Sequence, residues 1–240
     1  MKGAYLLVDA LTLLPTLLFS FHPRIAFYCH RATYLPALAV TAVIFLIWDA
    51  CFTHLGVWGF NPQYLTGSHI GNLPIEEWLF FVCIPYACVF TAYCRRLAGG
   101  RGPTKRNEQA ATAVLIGFLL PVALLNPHHR YTFTTFLSLS ILLAYCSYIL
   151  KARWLGRFYF SWLVLLLPLL VVDGILTGTG LHAPIVWYNP QDILGIRILT
   201  IPVEDFFYGM ELVLLNVLLY YLVQRLRYGR SSPGEMPEFV

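Results

Sequence analysis

Charge is missing from long stretches of this chain, and that absence constrains its fold more than any motif does. Asp, Glu, Lys and Arg cluster, leaving seven apolar segments between them: roughly 4–21, 35–55, 75–94, 110–125, 131–150, 158–176 and 202–222. An apolar run of about 20 residues matches the hydrocarbon thickness of a bilayer. The chain has 240 residues, of which 58% are apolar and only 12% charged. A soluble domain carries about 25% charge, and one core of this size could not hide so much apolar surface. The same composition excludes disordered, collagenous, disulfide-scaffold and nucleic-acid-binding classes. The expected fold is an all-α integral membrane protein of about seven transmembrane helices.

Orientation follows from the basic residues, because short positive loops stay cytoplasmic. If seven helices alternate, Arg24, Arg31, Arg95, Arg96, Arg101, Lys105, Arg106, Lys151, Arg153, Arg157, Arg225, Arg227 and Arg230 share one side. Only Lys2, Arg130 and Arg197 fall on the other. The expectation is a multi-pass protein of the cell membrane, N-terminus outside and C-terminus cytoplasmic. The net charge of +4 is then a topology signal. The first span reads as a retained helix rather than a cleaved signal, since Asp9 interrupts it and no small-x-small site follows. The six cysteines form no CxxC pair and read as small packing residues.

The chain also repeats itself. Residues 54–80 align with 182–208 without gaps, at an offset of 128. His54 meets His182, Asn61-Pro62-Gln63 meets Asn189-Pro190-Gln191, and Gly67 meets Gly195. Pro74 meets Pro202, Glu76 meets Glu204, and Glu77 meets Asp205. Upstream, with a four-residue shift, Asp49 meets Asp173. Spans 1–3 and 5–7 then form a 3+1+3 parallel internal repeat, with span 4 as the linker that keeps both halves in one orientation. The expected units are residues 1–98, a basic loop and linker helix over 99–130, a second repeat over 131–228, and a disordered tail over 229–240. Sites in duplicated membrane folds tend to lie between the repeats.

Eight of the 12 acidic residues lie in or at the rim of the membrane: Asp9, Asp49, Glu76, Glu77, Asp173, Glu204, Asp205 and Glu211. A carboxylate at mid-membrane costs about 3 kcal/mol on insertion scales, which makes such residues functional candidates. The span directions bring most of them to one leaflet. Asp49 and Asp173 close spans 2 and 6, the PIEE and PVED motifs open spans 3 and 7, and Asp9 lies in the outer half of span 1. Proline at a first helical position followed by first-turn acids also describes two well-started helices, a reading that leaves the other aspartates unexplained. Adjacent acids point about 100° apart, so one of each pair can face inward while the other anchors it. Glu211, on the face of Glu204 about 10 Å deeper, could instead be a helix–helix hydrogen-bonding group. Crowded carboxyls in an apolar site cannot all ionise, which leaves a neutral acid beside an ionised base.

Aromatic residues crowd the same region: Trp48, Phe52, Trp58, Phe60, Trp78, Phe80 and Phe81, then Trp187, Tyr188, Phe206, Phe207 and Tyr208. An interfacial belt accounts for many of them. Those beside the acids, Trp78, Phe80, Phe81, Phe206, Phe207 and Tyr208, could also face a cation. His54 and His182 have no metal-ligand spacing; they are expected to hydrogen bond Asn61, Asn189 or the acids.

The paired PxE(E/D) motifs, each opening a span after an NPQ-containing outer loop, resemble those of the microbial heterodimer-type lycopene cyclases. In that family two three-helix membrane subunits act together or occur fused, and this chain is similar to the fused form over almost its whole length. The resemblance implies redox-neutral cyclisation of an acyclic carotenoid drawn from the bilayer. An acid protonates a terminal double bond, the carbocation closes a ring, expected to be a β-ring, and a base removes a proton. By motif position it makes Glu76, Glu77, Glu204 and Asp205 the acid/base candidates. Asp49, Asp173, Asp9 and Glu211 would support them. No cofactor and no metal is expected, and other carotenoid enzymes are conceivable neighbours. No GxGxxG stands between a strand and a helix, since Gly99-Gly100-Arg101-Gly102 lies in a basic loop. A small sugar carrier of the PQ-loop type shares the 3+1+3 plan, although both NPQ copies here lie in loops.

Overall fold

The computed structural model describes residues 2–97, 99 and 103–228. The tail expected to be disordered (229–240) and most of the glycine-rich basic loop lie outside them. Seven α-helices occur among the described residues: α1 (Ala4–Ser20), α2 (Arg31–His54), α3 (Ile75–Leu97), α4 (Lys105–Leu125), α5 (Arg130–Ala144), α6 (Leu155–Leu176) and α7 (Val203–Tyr228). A π-helical turn, Tyr145–Ile149, extends α5. Six of the helices, α2–α7, are long and apolar enough to cross a bilayer, and α1 is shorter at 17 residues. The protein is an all-α membrane protein. Interior prolines 15, 36, 85, 121 and 168 are tolerated, as is usual where neighbouring helices cover the freed carbonyls.

Several spans differ from the sequence expectation at their ends. The fourth begins five residues earlier, because Thr104 caps it with a bond from the Asn107 amide (3.3 Å), and Lys105 pairs with the buried Glu108 at 2.7 Å. Pro74 and Pro202 stand one residue before α3 and α7 rather than inside them. Each ends a short strand.

The only strands among the described residues are six short ones, in the loops that precede α3 and α7. They are β1 (Trp58–Phe60), β2 (His69–Ile70), β3 (Leu73–Pro74), β4 (Val186–Tyr188), β5 (Arg197–Ile198) and β6 (Ile201–Pro202). β2–β3 and β5–β6 are matching hairpins. β1 and β4 pair with each other, antiparallel, with Gly59 opposite Trp187. A Cβ at Gly59 would come within 2.4 Å of the Trp187 ring, so the close approach requires glycine. Every strand and hairpin element recurs at the offset of 128.

The helices repeat the same logic. α1 packs on α3 as α5 packs on α7, while α2 lies against α7 and α6 against α3. Each half therefore supplies a wall to the other. α4 packs on α5 and touches α6, outside this arrangement. The largest core cluster joins Leu119 of α4, Phe136, Leu139 and Leu143 of α5, Trp162 of α6 and Leu214 and Val217 of α7. The starts of α1, α3, α5 and α7 and the ends of α2 and α6 meet at the strand end of the bundle, which gathers the acids there.

Candidate active site

The strand end is built from reciprocal backbone bonds. The Asn61 amide donates to the Ile185 carbonyl and the Asn189 amide to that of Val57, both at 2.8 Å. Each asparagine then closes its own turn, its side-chain oxygen accepting from the Gln63 or Gln191 amide at 3.1 Å. This is the physical content of the NPQ motif: a side-chain-closed turn with proline in the middle. Asn61 also donates to the Pro184 carbonyl, and Asn189 to Asp192, which pairs with Arg130 at 3.2 Å.

Within each adjacent acid pair the two carboxyls part company. Glu76 accepts the Thr66 amide at 2.6 Å. Its counterpart Glu204 accepts the Leu194 amide at 2.7 Å and the Thr132 hydroxyl at 2.6 Å. Both are buried against the loops, and neither reaches the cavity described next. Glu77 and Asp205, one residue on, turn inward.

They line a cavity of about 630 Å³ bounded by α1, α3, α6, α7 and the β1–β4 ribbon. Four carboxyls face it: Asp49, Glu77, Asp173 and Asp205. Tyr5 donates to Glu77 at 2.6 Å, and its repeat mate Tyr131 donates to Asp205 at 2.7 Å. Tyr188 donates to the other oxygen of Asp205 at 2.9 Å. The Trp58 indole donates to Asp49. Asp173 is half-buried, and its carboxyl accepts no hydrogen bond from the described residues. Burial first, and then the charges of Asp205, Asp173 and Glu77, hold the Tyr188 phenol well above its usual range, so it stays a donor.

The duplication is therefore uneven where it meets the cavity. Position 60 is Phe where its mate, 188, is Tyr, and position 186 is Val where its mate, 58, is Trp. One half supplies two phenols to its motif acid and no donor to its aspartate. The other half supplies one donor to each.

The remaining sequence candidates fall elsewhere. Asp9 is buried beside Glu76 with both oxygens unpartnered among the described residues, and it does not line the cavity. Glu211 accepts from Ser138 at 2.9 Å, a helix–helix bond off the cavity. His54 and His182 are exposed and bond neither the asparagines nor the acids, because His54 is the last residue of α2 and His182 lies in the loop that follows α6. Among the aromatic candidates, Phe80 and its mate Tyr208 line the cavity. Trp78 and Phe81 pack away from it with Phe45 and Leu46, and Phe207 packs on Phe136 with ring centroids 5.0 Å apart. Phe206 does not line it either. The rings around the acids are instead Tyr5, Trp58, Phe60, Tyr131 and Tyr188, together with Phe80 and Tyr208. Tyr5 and Tyr131 are absent from the sequence reading; their only signal is a tyrosine at matched positions in spans 1 and 5.

The family model for lycopene cyclase matches residues 2–94 and 128–223, one segment in each repeat. The chain belongs to the lycopene cyclase family. The unmatched stretch between the segments contains α4, as a joint between two copies of one unit would. Neither the curated proteins nor the solved structures give a match. Membership makes the protein an enzyme of carotenoid biosynthesis with an acyclic carotenoid as substrate.

Proposed function

We propose that this cyclase converts the open ends of a lycopene-like carotenoid into β-rings by protonation, ring closure and deprotonation. The observation that carries the reading is the cavity itself: four carboxyls gathered at one end of an otherwise apolar space. An apolar wall suits a hydrocarbon, and water excluded from it cannot quench a carbocation. The carboxylates and the faces of Trp58, Phe80, Tyr131 and Tyr208 would stabilise that cation in a low dielectric.

The hydrogen bonds suggest the division of labour. A carboxylate that accepts several hydrogen bonds is suited to remain ionised, and one without donors is suited to carry a proton. Asp205, held by two phenols, is then the base, and Asp173 is the proton donor to the terminal double bond. Glu77 and Asp49, the other two carboxyls of the cavity, supply the counter-charge. Glu76 and Glu204, the other motif acids, hold the loops that position these groups.

One proton is added and one removed, so the reaction is an isomerisation and calls for no redox cofactor. The orientation that accompanies this reading is the one the basic loops favour, with the cavity's acid end toward the outer face of the cell membrane.

Expression in a lycopene-accumulating bacterium tests the reaction. Pigment chromatography should show cyclic product appearing with this chain alone. Unchanged lycopene beside a well-inserted protein would refute the reading. Conversion by purified protein in lipid, without added flavin or nicotinamide, tests the cofactor statement.

A further inference from the structure

The cavity is elongated, and its carboxyls occupy one end. From Glu77 to Thr91 on α3 the lining runs about 21 Å along the bundle. Beyond the acids it is almost wholly apolar, bounded by Val8, Ile84, Leu165 and Val213. Its side is open. Leu11 of α1 and Leu167 and Val171 of α6 line the cavity, yet they are 64%, 71% and 58% exposed on the outer surface of the bundle. α1 and α6 flank the cavity without packing closely on one another.

Both flanking helices carry an interior proline, Pro15 and Pro168, and both prolines line the cavity. The matched positions in α5 and α2 are Ile141 and Ile44. Val43 and Ile47, the mates of Leu167 and Val171, are exposed as well but do not line the cavity. Interior proline removes a helical hydrogen bond and bends the helix. Pro36, Pro85 and Pro121 are interior to α2, α3 and α4, but none of them lines the cavity; the prolines that do belong to the two helices bordering the opening.

We propose that the gap between α1 and α6 is a lateral portal through which a long acyclic hydrocarbon enters end-first from the bilayer. This rests on the cyclase reading for the identity of the hydrocarbon. The leading end reaches Asp173 and Asp205, and the following chain lies along the apolar lining and out between the helices. Only one end of the substrate can then occupy the acids at a time. A two-ringed product requires the chain to leave and return reversed, so the one-ringed compound is released into the membrane as an intermediate.

Tryptophan at the portal tests this, with a repeat-matched control. Leu167→Trp and Leu11→Trp, singly and together, place a large side chain in the gap. Val43→Trp makes the same change on the mate of Leu167. Two quantities are read in membranes of graded carotenoid content: the rate of cyclisation, and the pigment that co-purifies with the solubilised protein. Portal variants should cyclise about tenfold more slowly at low substrate, recover at high substrate, and retain less pigment. Val43→Trp should match the wild type on both counts.

Portal variants equal to the wild type, or Val43→Trp slowed as much as Leu167→Trp, would overturn the portal. If the wild type retained pigment without cyclising it and Leu167→Trp retained none, the portal would stand and the cyclase reading would fall. A wild type that neither bound nor converted pigment would overturn both. A time course supplies an independent readout: two-ringed product rising without a preceding one-ringed pool refutes the one-end-at-a-time consequence.

Discussion

Removal of the two phenols from Asp205 is the sharpest test of the proposed division of labour. Tyr131→Phe and Tyr188→Phe each delete one hydrogen bond, of 2.7 and 2.9 Å, while keeping the ring. The rings stack on one another with centroids 5.8 Å apart and planes 13° from parallel, so packing should survive the change. A hydrogen bond to a charged group contributes about 1.5–3 kcal/mol. If that stabilisation supports the base in the transition state, each variant should turn over about ten- to a hundredfold more slowly. The pair should fall further, by less than the product of the singles, because the two phenols share one acceptor. The assay is the initial rate of cyclic pigment formation, normalised to inserted protein. Ring type gives a second readout that a purely structural role would not move. The position of the base decides which proton leaves, so a loosened Asp205 should yield a mixture of ring double-bond isomers. A Tyr131→Phe/Tyr188→Phe double variant with full turnover and a single ring type would refute the reasoning.

Amide replacements should separate the motif acids by the direction they face. Glu77→Gln, Asp205→Asn and Asp173→Asn should each lower turnover at least about a hundredfold at normal expression, as loss of a general acid or base does. Glu76→Gln and Glu204→Gln should instead lower the unfolding temperature of the solubilised protein, since each loosens a loop amide; pigment assays and thermal melts on the same samples check this. For the aromatics, Phe80→Leu and Tyr208→Leu should reduce turnover about five- to thirtyfold, from loss of roughly 1–2 kcal/mol of cation–π stabilisation. Phe81→Leu and Phe207→Leu, whose rings face other helices, should leave it within about twofold of the wild type.

Much of this architecture is legible in one dimension. The length of each apolar stretch sets a span through the thickness of a bilayer, and the alternation of spans brings PIEE, PVED, Asp49 and Asp173 to one end. The offset of 128 carries over to every strand and hairpin of the loops. It does so because a duplicated segment keeps its local turn chemistry, down to the paired Asn61 and Asn189 turns.

What only the tertiary structure decided is rotation and partnership. Sequence spacing shows that Glu76 and Glu77 diverge by about 100°, but not which of them faces inward. In a soluble helix the apolar stripe would answer that. In a membrane helix lipid and interior are equally apolar, so the stripe carries no such signal. The packing of α1 on α3 and of α5 on α7 sets the rotation, turning Glu77 and Phe80 inward and Glu76 and Phe81 away. The same packing brings Tyr5 and Tyr131 onto acids 72 and 74 residues distant. No local pattern encodes a contact of that separation. It also leaves His54 and His182 in the open, although their repetition marks them as strongly as the acids. Duplication determined where the carboxyls stand along the bundle; helix packing decided which of them share a cavity and with what donors.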